Sequence, residues 1–540
     1  MEQEKPNTEH RYFDIHPPVF WPALILLIIF ITAILIIGEP AEELFSGVQN
    51  WISTYFGWFL VLIVNFLLFA VLYFAFTRTG TIRLGGRNAV PDFSRGAWFA
   101  MLFSAGMGIG ILFWSVAEPL FHFTDPPVSG AGGPAAAQEA MGITFLHWGL
   151  HAWGIYALVG LALAFFSFNR NMPLAFRSVF YPILGDRVYR WPGNVIDVLA
   201  VLATLFGLAT SLGLGVKQVS AGLAHLFGSP DVLITRIILI AGITGAATIS
   251  VVLGLDRGVK WLSEVNIYLA GLLLLFLLVL GPTLFILDSY VQNIGGYLNT
   301  FFQRSFWTES YQGGDWQNEW TIFYWSWWIS WSPFVGMFIA RISRGRTVRE
   351  YVLSVLIIPT LLTFLWITAF GGSALWLELQ GGASIAAGAM EEVATSIYLL
   401  FEHFPLAAVT NFATVVLVIS FFITSSDSGS LVVDAFTSGG KLRSPVTQRV
   451  FWASMEGVVA AVLLIGGGLQ ALQTAAIAMG LPFAVLLVIM VFSLRKGLLK
   501  EYEKEQLRIR SHEKESYKEL IEHLVEDDTN REEKESDSDA

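Results

Sequence analysis

The chain has 540 residues, 54% hydrophobic and only 14% charged, with 19 Trp, 43 Phe and a net charge of −11. Soluble domains carry about 25% charged residues, so this composition excludes a string of soluble domains and indicates an all-α polytopic membrane protein. No basic stripe is present to neutralise phosphates, which excludes nucleic acid as a partner, and the absence of cysteine removes disulfides, thiolate nucleophiles and Cys metal sites.

Residues 1–18 read as a polar cytoplasmic N-terminal segment, without the basic start and small-residue cleavage site of a removable signal peptide. A helix needs about 20 apolar residues to cross the hydrocarbon core, and twelve runs qualify. They are 19–38, 58–77, 97–117, 143–166, 195–215, 233–254, 261–288, 321–340, 351–371, 405–425, 447–468 and 472–494. Basic residues crowd alternate loops. Arg78, Arg83, Arg87 and Arg95 follow the second run, and Arg170, Arg177, Arg187 and Arg190 the fourth. Arg257 and Lys260 follow the sixth, Arg341, Arg344, Arg346 and Arg349 the eighth, and Lys441, Arg443 and Arg449 the tenth. The other loops hold only Lys217 and Arg304. The positive-inside rule then places both termini in the cytoplasm of a multi-pass protein of the cell membrane.

The third run contains Ser104-Ala105-Gly106-Met107-Gly108-Ile109-Gly110. Each glycine weakens a helix by about 1 kcal/mol relative to Ala. Two readings stay open: small residues that let helices pack closely, or a helix opened at the midplane whose freed carbonyls hold a cation.

The fourth run carries His147-Trp148 and then His151-Ala152-Trp153-Gly154-Ile155-Tyr156, with Trp153 and Tyr156 on one helical face. His147 and His151 share a face at i, i+4, a spacing that can hold a metal. No third ligand stands near them in the sequence, so we read them as core. The eighth run is denser still: Phe323-Tyr324-Trp325-Ser326-Trp327-Trp328-Ile329-Ser330-Trp331-Ser332-Pro333. An interfacial aromatic belt is the bland explanation, but this cluster reaches into the run. Clustered aromatic faces attract a quaternary ammonium without a counter-charge.

The tenth run ends in Thr424-Ser425-Ser426-Asp427-Ser428-Gly429-Ser430. Its hydroxyls can join carbonyls in an oxygen-only site suited to Na⁺, or can bond back to their own helix. Asp427 is expected at the cytoplasmic interface. The tail, 495–540, holds 15 acidic and 10 basic residues. Leu499, Tyr502, Leu520, Ile521 and Leu524 give it a thin apolar stripe, and Arg495, Lys496, Lys500, Arg508 and Arg510 are expected to be drawn to an anionic leaflet. No Walker A, H-E-x-x-H or G-x-S-x-G sequence occurs, so no enzyme chemistry competes with transport.

Taken together, these stretches resemble the betaine/choline/carnitine transporter family. The likeness rests on Gly106 to Gly110 with Glu118-Pro119, His147-Trp148 to Tyr156, Thr204-Leu205-Phe206-Gly207, Tyr324 to Arg346, and Thr424 to Ser430. The resemblance implies twelve transmembrane helices. Two peripheral helices (19–77) precede a LeuT-type five-plus-five inverted repeat (97–288 and 321–494), whose halves are joined by an extracellular connector (289–320) with room for an amphipathic helix. It also implies a homotrimer working by alternating access, with membrane lipids and Na⁺ as partners and no cofactor beyond Na⁺ as coupling ion. By the family's pattern, Trp148, Trp153, Tyr156 and Trp328 form the substrate's aromatic box, Trp327 and Trp331 extend it toward the cytoplasm, and Gly108 and Gly110 border the substrate. One sodium site falls on Ser104, Met107, Phe421, Thr424 and Ser425. A second matches Thr204 and Phe334, but its other hydroxyl position is Leu208, which cannot ligate. Proton-coupled choline transporters of the family tend to carry Asp where this chain has Gly110. The expected function is therefore sodium-coupled import of a compatible solute, glycine betaine first and ectoine or a related zwitterion next. The alternatives are a sodium-independent choline or carnitine uniporter or exchanger, and a receptor or channel.

Overall fold

The computed structural model describes residues 8–9, 12–38, 40–253, 260–381, 384–441 and 444–538. Arg257 and Arg443 of the basic loops lie outside these residues, as do the side chains from 526 onward. Apart from a two-residue antiparallel pairing of Thr8–Glu9 with Asp14–Ile15, the described regular structure is helical. Helices are the form in which a lipid-embedded chain satisfies its own backbone.

The longer helices are α1 (Pro17–Ile37), α2 (Ala41–Phe76), α3 (Arg95–Gly106), α4 (Ile109–Thr124), α5 (Gly133–Trp148), α6 (Leu150–Ala164) and α7 (Trp191–Phe227). They continue as α8 (Leu233–Leu253), α9 (Lys260–Leu280), α10 (Thr283–Ser305), α11 (Thr321–Ile342), α12 (Val348–Ile367), α13 (Ala407–Thr437) and α14 (Val446–Ser538). Their ends follow local chemistry. The Ser94 hydroxyl accepts the Ala97 N–H at the start of α3, the Thr347 hydroxyl accepts the Glu350 N–H at the start of α12, and proline opens α1, α5 and α7.

Nine helices among the described residues are long and apolar enough to cross a membrane, and ten if the bent pair α3–α4 counts as one span. The sequence predicted twelve. Two physical causes separate the numbers. Helix α11 has 22 residues, but its Trp, Tyr and Ser content holds its hydropathy down. The last two predicted runs lie in one long helix, α14, interrupted by non-helical backbone at Gly467 and Gly468. Other boundaries also move. Helix α7 runs on to Phe227, so Lys217, predicted in a loop, lies inside a helix and meets Glu392 at 3.5 Å. Asp427, predicted at an interface, is buried within α13 and accepts the Ser250 hydroxyl at 2.8 Å.

Helix α11 sits against α6, α7 and α14. Small residues permit these approaches. A Cβ at Gly336 would lie 2.4 Å from Val159 and 3.1 Å from the Gly160 backbone, and one at Gly480 would lie 2.8 Å from Ser326. The Ser330 hydroxyl donates to the Ala476 carbonyl at 2.9 Å, which ties α11 to the helix behind it. The basic loops interlock at one end: Arg346 lies over the Trp98 ring at 4.5 Å, and Arg83 donates to the Gly345 carbonyl at 2.5 Å.

The tail is helical and continuous with the last apolar segment. Its root is packed. Arg170 pairs with Glu501 at 3.1 Å, Lys496 donates to the Pro182 carbonyl at 2.7 Å, and Arg78 lies over the Tyr502 ring at 5.5 Å. Lys496 is thus held by protein, where lipid was expected.

Candidate functional site

The site begins at the break in the third predicted run. After α3, Met107 is extended (φ −88°, ψ 123°), Gly108 is extended (φ −167°, ψ −172°), and α4 leaves at 63° to α3. A helix that starts here leaves its first N–H groups, at Ile109 to Ile111, without intrahelical acceptors. The break faces the aromatic residues of α11. A Cβ at Gly110 would lie 2.6 Å from Trp327 Cη2 and 3.4 Å from Trp148 Cη2, and one at Gly108 would lie 3.9 Å from Trp331 Cη2. Only glycine fits at 110 without moving an indole.

The aromatic residues converge from α5, α6 and α11. The Trp148 and Trp328 rings meet edge to face at 4.9 Å, and Trp327 stacks on Trp328 at 4.7 Å. Tyr156 lies 6.3 Å from both Trp328 and Trp331, and Trp153 lies 5.6 Å from Tyr156. All eight substrate positions predicted from sequence therefore fall in one cluster. The Trp328 N–H donates to the His147 carbonyl at 2.8 Å, across the α5–α6 break at Gly149. Within this cluster the Tyr156 hydroxyl and the Trp327 and Trp331 N–H groups have no partner among the described residues.

Behind this cluster lies a carboxylate that the sequence marked as part of the family likeness but gave no role in the site. Glu118, fully buried on α4, accepts from the Trp148 N–H at 2.8 Å and the Tyr324 hydroxyl at 2.5 Å, both on Oε2. Its Oε1 meets His147 Nδ1 at 2.6 Å and His122 Nε2 at 3.4 Å. His147 Nε2 reaches the Thr321 hydroxyl at 2.9 Å. So His147 does find further polar partners, on another helix. His151, its expected companion, turns away to Asn65 at 3.1 Å. The available signal was an acid in the middle of an apolar stretch, which in a membrane helix marks a site by default.

The residues of the predicted ion sites are less gathered. Thr424 donates to the carbonyls of Ser420 and Phe421 at 3.1 and 3.2 Å and accepts from Asn266 at 3.1 Å. Its hydroxyl and the Phe421 carbonyl thus bond each other. Ser104 and Ser425 keep half-buried hydroxyls with no hydrogen bond to a described residue, and Met107 is buried at the break. Helix α3 packs on α11 and α12, while the broken helix touches α13 through α4. At the second site Thr204 bonds back to the Ala200 carbonyl at 2.7 Å, and Phe334 lies beside Trp331 at 5.5 Å. The Leu208 methyls lie against Gly429, where a Cβ would be 2.3 Å away.

Comparison with known proteins gives the family. The family model for betaine/carnitine/choline transporters matches residues 18–503. A glycine betaine/proline/choline/ectoine transporter of Vibrio parahaemolyticus is 46% identical over 510 residues, covering 92% of this chain and 89% of its own. The glycine betaine transporter OpuD of Bacillus subtilis is 43% identical over 486 residues, covering 89% and 94%. A glycine betaine transporter of Acinetobacter baylyi is 42% identical over 501 residues, covering 93% and 76%. With a broken helix facing an aromatic cluster, and a family model matched along nearly its whole length, this chain belongs to the betaine/carnitine/choline family of transporters.

Proposed function

We propose that the protein imports glycine betaine, or a related zwitterion such as ectoine, together with Na⁺ by alternating access. The observation that carries this reading is the ring of Trp148, Trp153, Tyr156, Trp328 and Trp331 closed against the helix break. Aromatic faces suit a quaternary ammonium. The unpartnered Tyr156, Trp327 and Trp331 donors and the N-terminus of α4 suit the carboxylate at the other end of a betaine. The names of the Vibrio, Bacillus and Acinetobacter relatives support the same substrate class.

In this reading α11 is a span and α14 contributes two, on either side of Gly467–Gly468, for twelve in all. The five-plus-five inverted repeat follows two peripheral helices, both termini are cytoplasmic, and the protein is a homotrimer in the plasma membrane. Na⁺ is held by the Ser104, Met107 and Phe421 carbonyls with the Thr424 and Ser425 hydroxyls. Leu208 leaves the second site short of a ligand, so we assign one ion.

A second reading, sodium-independent exchange or uniport of choline or carnitine, is favoured by the Thr424 hydroxyl being already bonded within α13. Uptake of labelled betaine into proteoliposomes separates the two. Uphill accumulation should require inward Na⁺ and vanish when K⁺ replaces it. Equal uptake in both salts would support the second reading. Thr424→Ala combined with Ser425→Ala should raise the Na⁺ concentration for half-maximal uptake by about ten-fold, the loss of about 1.4 kcal/mol of ion binding. An unchanged Na⁺ dependence removes these residues from the site.

The tail is assigned a modulating role. Because Glu501 and Tyr502 anchor its root, truncation belongs after Leu507. Screening acts within about a Debye length, and the mixed charges beyond that point respond to it. Truncated protein should keep its substrate affinity and lose part of the increase in maximal uptake with osmotic strength. Identical activation curves would reduce the tail to a solubilising end.

A further inference from the structure

We propose that Glu118, His122 and His147 form a binding site for a divalent transition-metal ion of the zinc class, behind the aromatic cluster. Their ligand atoms all lie within 4.8 Å of one another, and all three side chains are fully buried. Two imidazoles and one carboxylate form a donor set suited to Zn²⁺, Co²⁺ or Ni²⁺, whereas Mg²⁺ and Ca²⁺ take oxygen ligands.

The Glu118–His122 separation suits a bound ion, whereas the 2.6 Å contact of Glu118 with His147 is a direct hydrogen bond that an ion would open to about 3.3 Å. His122 has no hydrogen-bond partner on either ring nitrogen among the described residues, although its Nε2 stands 3.4 Å from Glu118 Oε1. A buried imidazole must give its N–H to something or lose hydrogen-bond energy. Ligands about 2.0–2.1 Å from a tetrahedral ion sit about 3.3 Å apart, close to that separation. His147 presents Nδ1 to the same oxygen, at 2.6 Å, while its other nitrogen is fixed by Thr321 at 2.9 Å. That outer hydrogen bond is the kind that orients a ligating histidine. Glu118 divides its two oxygens: Oε2 takes the Trp148 and Tyr324 donors, and Oε1 is left for the histidines. With a metal on Nδ1, the His147 ring N–H is on Nε2 and is donated to the Thr321 hydroxyl.

The Trp316 and Trp320 rings, 5.0 and 4.5 Å from His122, close the open side and restrict exchange with solvent. A dication here stands one carboxylate away from Trp148. It therefore opposes a cationic group in the aromatic cluster, which gives the site a means of lowering affinity for an ammonium ligand.

The test uses purified full-length protein in detergent, stripped with a chelator and titrated with Co²⁺. The expected result is a ligand-field band of tetrahedral intensity that saturates at one equivalent and is displaced by Zn²⁺. His122→Gln should abolish the band. His225→Gln, which alters a histidine paired with Glu402 elsewhere, should leave it intact. A missing band, or a band that survives His122→Gln, overturns the proposal. If His122→Gln does not fold, the zinc-edge absorption spectrum of the wild-type protein decides. Two imidazoles and a carboxylate oxygen in the first shell support the site, and any shell with fewer than two imidazoles overturns it.

Discussion

Leucine in place of Trp328 is expected to weaken substrate binding by more than ten-fold. Trp328 lies between Trp148, at 4.9 Å, and Tyr156, at 6.3 Å, and is backed by the parallel ring of Trp327 at 4.7 Å. Its side chain is buried within the ring of aromatics. A desolvated cation–π contact contributes about 2 kcal/mol, and 1.4 kcal/mol is already a factor of ten. Leucine also abandons the hydrogen bond to the His147 carbonyl, which spans the break between α5 and α6. Phenylalanine keeps a π-face and should recover part of the loss. Calorimetric titration of wild type, Leu and Phe variants with glycine betaine checks the order. Normal affinity in the Leu variant would remove Trp328 from the site.

Glu118→Ala should have an effect of similar size on binding and a larger one on stability. Trp148, Tyr324 and His147 would all lose their acceptor inside a space sealed from water. Each buried group left unpaired costs about 1–3 kcal/mol. Trp148 would then be free to rotate out of contact with Trp328. Glu118→Gln retains an acceptor oxygen for the Trp148 and Tyr324 donors and should restore much of the affinity. Melting midpoint and betaine affinity, measured on the same samples, distinguish positioning from plain packing. A packing role predicts that Gln and Ala lower affinity in step with stability; positioning predicts near-normal affinity in Gln. An Ala variant with wild-type melting and affinity would contradict both.

The aromatic cluster was legible in the sequence because its residues are local. Trp327, Trp328 and Trp331 share one helix, and Trp148, Trp153 and Tyr156 lie within nine residues of one another. The glycine run likewise marked the helix break, since both are properties of a few consecutive residues. Glu118 was not legible as a site residue, because its partners at 147, 148 and 324 come from helices that only the packed fold brings together. His122, four residues on from Glu118 and 3.4 Å from its carboxylate, was not singled out either. The number of long apolar helices and the number of predicted spans differ where composition and length disagree. The aromatic helix α11 is less apolar than its neighbours yet reads as a run in the sequence, and Gly467 and Gly468 interrupt α14 where the sequence separates its last two runs. The hydroxyls of α13 allowed two readings in sequence, and Thr424 takes the one in which it bonds its own helix.

Helix α14 has a mechanical consequence. After Pro482 it contains no further proline and one glycine, Gly497, which is clamped against Phe165 and Phe166. From Leu494 to Ser538 the helix is about 66 Å long at 1.5 Å per residue. No joint separates this rod from the apolar segment that precedes it, so the two behave as a lever with its fulcrum at the Arg170–Glu501 contact. From Glu501 to Ser538 the arm is about 56 Å, so a tilt of about 10° at the fulcrum would sweep the far end through about 10 Å. A shift of about 1 Å around Gly497, roughly 6 Å from the fulcrum, would thus be read out at the tip as a displacement on the scale of a helix diameter, and a force applied at the tip would be returned to the bundle with the same mechanical advantage.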